Sequence, residues 1–165
     1  MELLLVRHAI AQERDRKRWP NDGERPLSGG GAARARAAAA GLRRLSQRPA
    51  LVLTSPLLRA RQTAAILTQT ARWPRARNCP ELAPGTPPED LFAVLARERA
   101  ERVALVGHEP DLSELLAACL AGGARSGAFA FRKMGVARIG FQGRARSGRG
   151  QLIWLLTPKL LRAVR

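Results

Sequence analysis

The sequence predicts an α/β fold, a three-layer α/β/α sandwich around a mainly parallel sheet. Three apolar runs carry this expectation: Leu3-Leu4-Leu5-Val6, Leu51-Val52-Leu53 and Val103-Ala104-Leu105-Val106. Short continuous runs of this kind suit strands buried on both faces. Stretches of helical character separate them, and alternating strands and helices build a parallel sheet.

The first run ends in Arg7-His8. Both residues then sit at the carboxyl edge of a strand, where open α/β sheets bind their ligands. The polar segment Ala11 to Ser28 reads as a loop, longer than most connections in compact domains. From Gly31 to about Gln47 an Ala/Leu/Arg stretch predicts a helix, with Gly29-Gly30-Gly31 as a flexible lead-in. Its arginines, Arg34, Arg36, Arg43 and Arg44, form a solvated face. The second run leads to Ser55 as N-cap and Pro56 at the first position of a helix ending near Arg72. Prolines between Pro74 and Pro88 mark an irregular connection. Thr86-Pro87-Pro88-Glu89 has capping-box spacing and opens a helix carrying Leu91, Val94 and Leu95. The third run ends in Gly107-His108-Glu109-Pro110, followed by a helix from Pro110 to about Leu120 that Gly122-Gly123 ends. Two further strands are expected around Ala128–Phe141, bent or broken near Gly135, and at Gln151–Leu156. The turn Gly143 to Gly150 joins them as a hairpin.

A chain of 165 residues, 45% of them hydrophobic, is expected to form one domain spanning residues 1–165. Neither a secretory signal nor a run long enough to cross a bilayer is read in it. Cys79 and Cys119 stand alone and form neither a disulfide framework nor a metal site. A cytoplasmic protein with reduced thiols is the expectation. The net charge of +16 is carried almost wholly by arginine, scattered through an alanine-rich chain. Arg/Ala skew of this kind can arise from coding bias alone. The basic cluster Arg14–Arg18 meets only one aromatic residue, Trp19, so no base-stacking pattern is present. The charge reads as general attraction to anions, with neither nucleic acid nor membrane as the expected partner.

The chain has only two histidines. Both fall at the carboxyl ends of predicted strands, His8 after the first and His108 after the third. The second strand leads into a helix whose first turn carries Arg59, with Arg61 close behind. In a parallel sheet these ends share one edge, so two histidines and at least two arginines converge. Arginine offers a fork of donors matched to phosphate oxygens. Neutral imidazole is a nucleophile toward phosphorus. No carboxylate cluster suits Mg²⁺, no His spacing suits zinc, and no glycine-rich nucleotide signature is present. A phosphate site built from His and Arg, independent of metal and of any cofactor, is therefore expected.

These residues resemble a known family. Arg7-His8-Ala9, Ser55-Pro56-Leu57-Leu58-Arg59-Ala60-Arg61-Gln62-Thr63 and Gly107-His108-Glu109-Pro110 look like the three motifs of the histidine phosphatase superfamily, with its phosphoglycerate-mutase-like fold. The short length, Arg25-Pro26-Leu27-Ser28 followed by Gly31, and Pro80-Glu81-Leu82 resemble the compact SixA-type branch of phosphohistidine phosphatases. The glycine usual after the histidine is Ala9 here. The resemblance implies that His8 is the nucleophile and becomes phosphorylated. It implies that Arg7 and Arg59 clamp the phosphoryl oxygens, and that His108 donates a hydrogen bond to them. Glu81 stands where related enzymes often carry a proton donor; Glu109, Asp22 and Glu24 compete for that role. A phosphohistidine substrate weakens the need for a strong acid, since a protonated imidazole leaves readily.

The connections 72–90 and 121–128 are short, which predicts an open site admitting a phosphorylated side chain of another protein. The expected substrate is a phosphohistidine-containing protein of phosphorelay or phosphotransfer type, with phosphate or a similar anion bound at the site. Alternatives are a small-molecule phosphomonoesterase of the same superfamily, a non-enzymatic basic module for nucleic acid, and a catalytically dead adaptor. The last is disfavoured by the presence of all four core residues.

Overall fold

The computed structural model describes residues 1–123 and 129–164. The strands are β1 (Glu2–Arg7), β2 (Leu51–Thr54), β3 (Arg77–Asn78), β4 (Arg102–Gly107), β5 (Val136–Phe141) and β6 (Gly150–Leu156). The helices are α1 (Gly29–Leu45), α2 (Leu58–Ala71), α3 (Pro88–Arg97), α4 (Asp111–Ala121) and α5 (Pro158–Ala163). The strands form one sheet in the order β3-β2-β4-β1-β5-β6. The three apolar runs lie side by side and parallel, with Leu3 and Leu51 both opposite Val103. β5 and β6 add an antiparallel hairpin at one side.

Strand alternation explains the three layers. Leu4, Val6, Val52, Ala104 and Val106 pack against α1, α2 and α5 on one face. Leu3, Leu5, Leu53, Val103 and Leu105 pack against α3 and α4 on the other. Apart from the half-buried Leu51, the strand residues of these runs are buried between the helices, which is why the runs lack polar alternation. Arg34, Arg36, Arg43 and Arg44 are exposed on α1, as their solvated-face reading requires.

Several boundaries differ from expectation, each for a local reason. Gly29-Gly30-Gly31 is no flexible lead-in but the first turn of α1, capped by Ser28, whose hydroxyl accepts from the Gly31 N–H. A Cβ on Gly31 would lie 2.1 Å from the Ile10 carbonyl oxygen, so this glycine permits the helix to close against the segment after β1. Ser55 is not a helix cap: α2 begins at Leu58, with Leu57 as its N-cap. Thr86 closes no capping box, donating instead to the Ala83 carbonyl, and α3 starts at Pro88. The strand expected from Ala128 begins only at Val136, because Met134 adopts a left-handed conformation (φ 66°) ahead of Gly135. Ala128 itself, and the 124–128 part of the 121–128 connection, lie outside the described residues. The 11–28 segment is largely irregular, held by an Ala11–Leu27 bridge and one 3-10 turn at Asp22–Glu24. Cys79 and Cys119 are both buried free thiols.

Candidate active site

The ends of β1, β2 and β4 bring the predicted residues to one edge. The parallel ladder runs on past the strands: the His8 N–H donates to the Gly107 carbonyl at 3.0 Å, and the Ser55 N–H to the Val106 carbonyl at 2.9 Å. His8 and His108 therefore leave neighbouring strands at the same level, with ring centroids 5.0 Å apart.

His8 is 7% exposed. Its Nδ1 lies 2.6 Å from the Ala9 carbonyl oxygen. That oxygen can only accept, so we assign the ring hydrogen to Nδ1, which leaves a lone pair on Nε2. Burial, then the nearby His108, Arg59 and Arg7, push the His8 pKa down to about 3. The ring is neutral across the physiological range, as a nucleophile must be.

His108 is 3% exposed and its Nε2 lies 2.8 Å from Ser55 Oγ. Ser55 Oγ also accepts from the Leu57 N–H at 3.3 Å. We assign the Ser55 proton to Nε2, which places the hydrogen of the neutral His108 ring on Nδ1. That Nδ1 is buried without a partner. Burial and the neighbouring Arg59 and Arg7 lower the His108 pKa to about 4.

The arginines behave alike. Arg7 donates through one terminal nitrogen to the Phe131 carbonyl, and its Nε has no partner. Arg59 is 5% exposed and donates to the Asp22 carbonyl at 2.9 Å, while its Nε too is unpartnered. Burial lowers the pKa of both guanidinium groups. Three buried nitrogens around one imidazole thus lack acceptors, and buried polar groups in that condition mark a missing partner. An anion with several acceptor oxygens fits them.

The supporting contacts include residues that sequence reasoning passed over. Thr63 Oγ1 accepts from the Ala9 N–H at 3.0 Å and donates to the Arg59 carbonyl at 2.7 Å, tying the chain beyond β1 to α2. Ser55, read as a cap, instead orients His108; its place at the end of β2 was the available signal. Arg25 donates to Asp22 Oδ1 at 2.8 Å, and Asp22 Oδ2 lies 3.2 Å from Arg59. Arg61, grouped with Arg59 by sequence, is exposed.

The carboxylates separate by environment. Glu109 accepts from the Phe131 N–H at 2.6 Å and from the Ser113 hydroxyl, so it braces the segment that holds Arg7. Asp22 is an ion-pair partner, its carboxyl held below the usual range chiefly by the Arg25 hydrogen bond. Glu81 sits in a one-turn 3-10 helix and accepts from Cys79 Sγ at 3.2 Å. Its own backbone N–H and Cys79 hold its carboxyl low. None of the hydrogen bonds among the described residues joins Glu81 to His8, Arg7, Arg59 or His108. The expectation of an open site is modified too: the two histidines are deeply set, and Asp22 of the 11–28 segment lies against Arg59.

An α/β sheet with paired histidines and arginines at its carboxyl edge offers the donors and the neutral imidazole that handling a phosphoryl group requires. The model of the histidine phosphatase superfamily, branch 1, matches residues 3–83. An uncharacterized protein of Picosynechococcus sp. is 42% identical over 117 residues, covering 69% of this chain and 70% of its own length. The structure of the protein histidine phosphatase SixA complexed with tungstate matches with a TM-score of 0.83 and 27% identity, over 98% of this chain and 99% of that one. An α-ribazole phosphatase from Shigella flexneri shares the fold, with a TM-score of 0.74 and 19% identity over 96% and 97% of the two chains. The chain belongs to the histidine phosphatase superfamily, and SixA-type members are its neighbours in fold.

Proposed function

We propose that this chain is a phosphohistidine phosphatase that removes phosphate from a phosphohistidine-bearing protein. The observation that carries the reading is the His8 ring, neutral and with Nε2 free, beside three unpartnered donors on Arg7, Arg59 and His108. In the first step Nε2 of His8 bonds to phosphorus as the P–N bond of the substrate breaks, and the substrate imidazole leaves with its proton. In the second, water attacks the phosphorylated His8, releasing inorganic phosphate and restoring the free Nε2. Arg7, Arg59 and the His108 N–H hold the equatorial oxygens through both steps, where positioning and charge stabilisation dominate. Glu81, held ionised by its neighbours, suits a leaving group that needs no strong acid. The likeness to SixA, a protein histidine phosphatase bound to the phosphate-like tungstate, supports this substrate class.

Rapid quenching with a ³²P-phosphohistidine protein is expected to trap acid-labile, alkali-stable label on His8. His8→Ala is expected to lose both label and turnover; normal turnover by that variant would end the proposal. A small-molecule phosphomonoesterase of the same superfamily is the second reading, supported by the shared fold of the α-ribazole phosphatase. A panel of sugar, nucleotide and acyl phosphates separates the two by kcat/KM. A nucleic-acid module leaves the burial of both histidines without a purpose.

A further inference from the structure

Beside the phosphoryl site lies a cleft of about 610 Å³ that shares Arg7 with it. Three separate elements supply its charge: Arg34 from α1, Arg132 and Lys133 from the turn before β5, and Lys159 and Arg162 from α5. Among the described residues no carboxylate lines it. None of the ion pairs among the described residues involves any of these five side chains, whereas Arg59, Arg77 and Arg138 each have an acidic partner. All five are exposed. Compositional arginine skew does not account for the cluster, because two of the chain's only three lysines, Lys133 and Lys159, are in it.

The cleft is also fastened to the chemistry. Arg132 and Lys133 ride on a turn whose buried Met134 is held at φ 66°, a strained conformation for a residue with a side chain. The Met134 N–H donates to the Arg7 carbonyl at 3.0 Å and lies 3.2 Å from that of His8. Arg7 in turn donates to the carbonyl of Phe131, one residue before the pair. Like charges crowded on one wall repel, and the cost is offset when an anionic partner arrives.

We infer that this cleft is the docking groove for an acidic stretch of the phosphoprotein substrate, which lies across Arg34, Arg132, Lys133, Lys159 and Arg162 while its phosphohistidine reaches Arg7 and His8. The inference rests on the phosphohistidine reading above. Charge complementarity favours an acidic polypeptide, and the continuity through Arg7 places it on the substrate itself.

The test uses two synthetic phosphohistidine peptides, identical except that one is flanked by glutamates and the other by glutamines. The unaltered protein is expected to show a KM at least about 10-fold lower for the glutamate peptide. The charge-reversed variant R34E/K159E/R162E is expected to lose that preference, with turnover of the glutamine peptide and of p-nitrophenyl phosphate unchanged. The neutral variant R34Q/K159Q/R162Q, which keeps the fold if the reversed one does not, is expected to lose most of it. Equal KM values in the unaltered protein, or a preference that survives both variants, would overturn the groove while leaving the phosphohistidine reading intact. Hydrolysis of p-nitrophenyl phosphate but of neither peptide would overturn both.

Discussion

His8 and His108 are set to be neutral by their surroundings. Burial removes the solvation of the charged form, and Arg7 and Arg59 add repulsion. The same shift makes stability depend on pH. In the unfolded chain both rings titrate near 6.5, in the folded one near 3 and 4. Between those values the unfolded state binds more protons, so stability is full above about pH 6.5 and falls as pH drops toward the folded values. At pH 5 the loss reaches on the order of 2 kcal/mol per histidine. Urea denaturation is expected to show a lower midpoint at pH 5 than at pH 7, and the double variant H8N/H108Q a smaller drop. An identical drop in that variant would assign the effect to other groups.

At the scale of elements, two glycines of α1 set how closely the layers approach. Gly31 meets Ile10 in the segment after β1. Gly41 faces α5, where a Cβ would lie 1.7 Å from the Leu161 carbonyl oxygen. Alanine is the better helix former by about 1 kcal/mol, but a backbone carbonyl cannot rotate away as a side chain can. The clash wins, and Gly41→Ala is expected to cost about 2 kcal/mol, read as a fall in Tm of roughly 4–8 °C. An unchanged Tm would show that α5 shifts freely. Since α5 carries Lys159 and Arg162, the same displacement disturbs the basic cleft before it reaches His8. Neither glycine announced this role in the sequence, where the triple glycine read as a flexible lead-in to the helix. A contact between residues 10 and 31, or 41 and 161, is invisible until the chain has closed.

For the whole molecule, a net charge of +16 creates a field that draws anions from a distance. Salt screens it with a Debye length of about 10 Å at 0.1 M. The value of kcat/KM for an acidic phosphohistidine peptide is expected to fall at least about 10-fold between 0.02 and 0.5 M NaCl, and clearly less for the neutral peptide. Equal salt sensitivity for both would assign the charge to general attraction for phosphate. Much of this scale was legible beforehand. The apolar runs reported a sheet enclosed on both faces, because strands buried on both sides carry no polar alternation. The histidines reported the edge at which they meet, because both end such runs.

Sequence alone determined the layers and the shared edge, and it singled out Arg7, His8, Arg59 and His108 as candidates, since strand ends and motif spacing are local properties of the chain. Only the tertiary structure decided what each atom is free to do. It turned Ser55 from a helix cap into the partner of His108, Glu109 into a brace for the Phe131 segment, and Asp22 into the neighbour of Arg59. It also gathered cations from α1, α5 and the turn before β5 along one cleft. Hydrogen-bond partners and charge clusters depend on which distant segments meet, and that is settled when the layers pack.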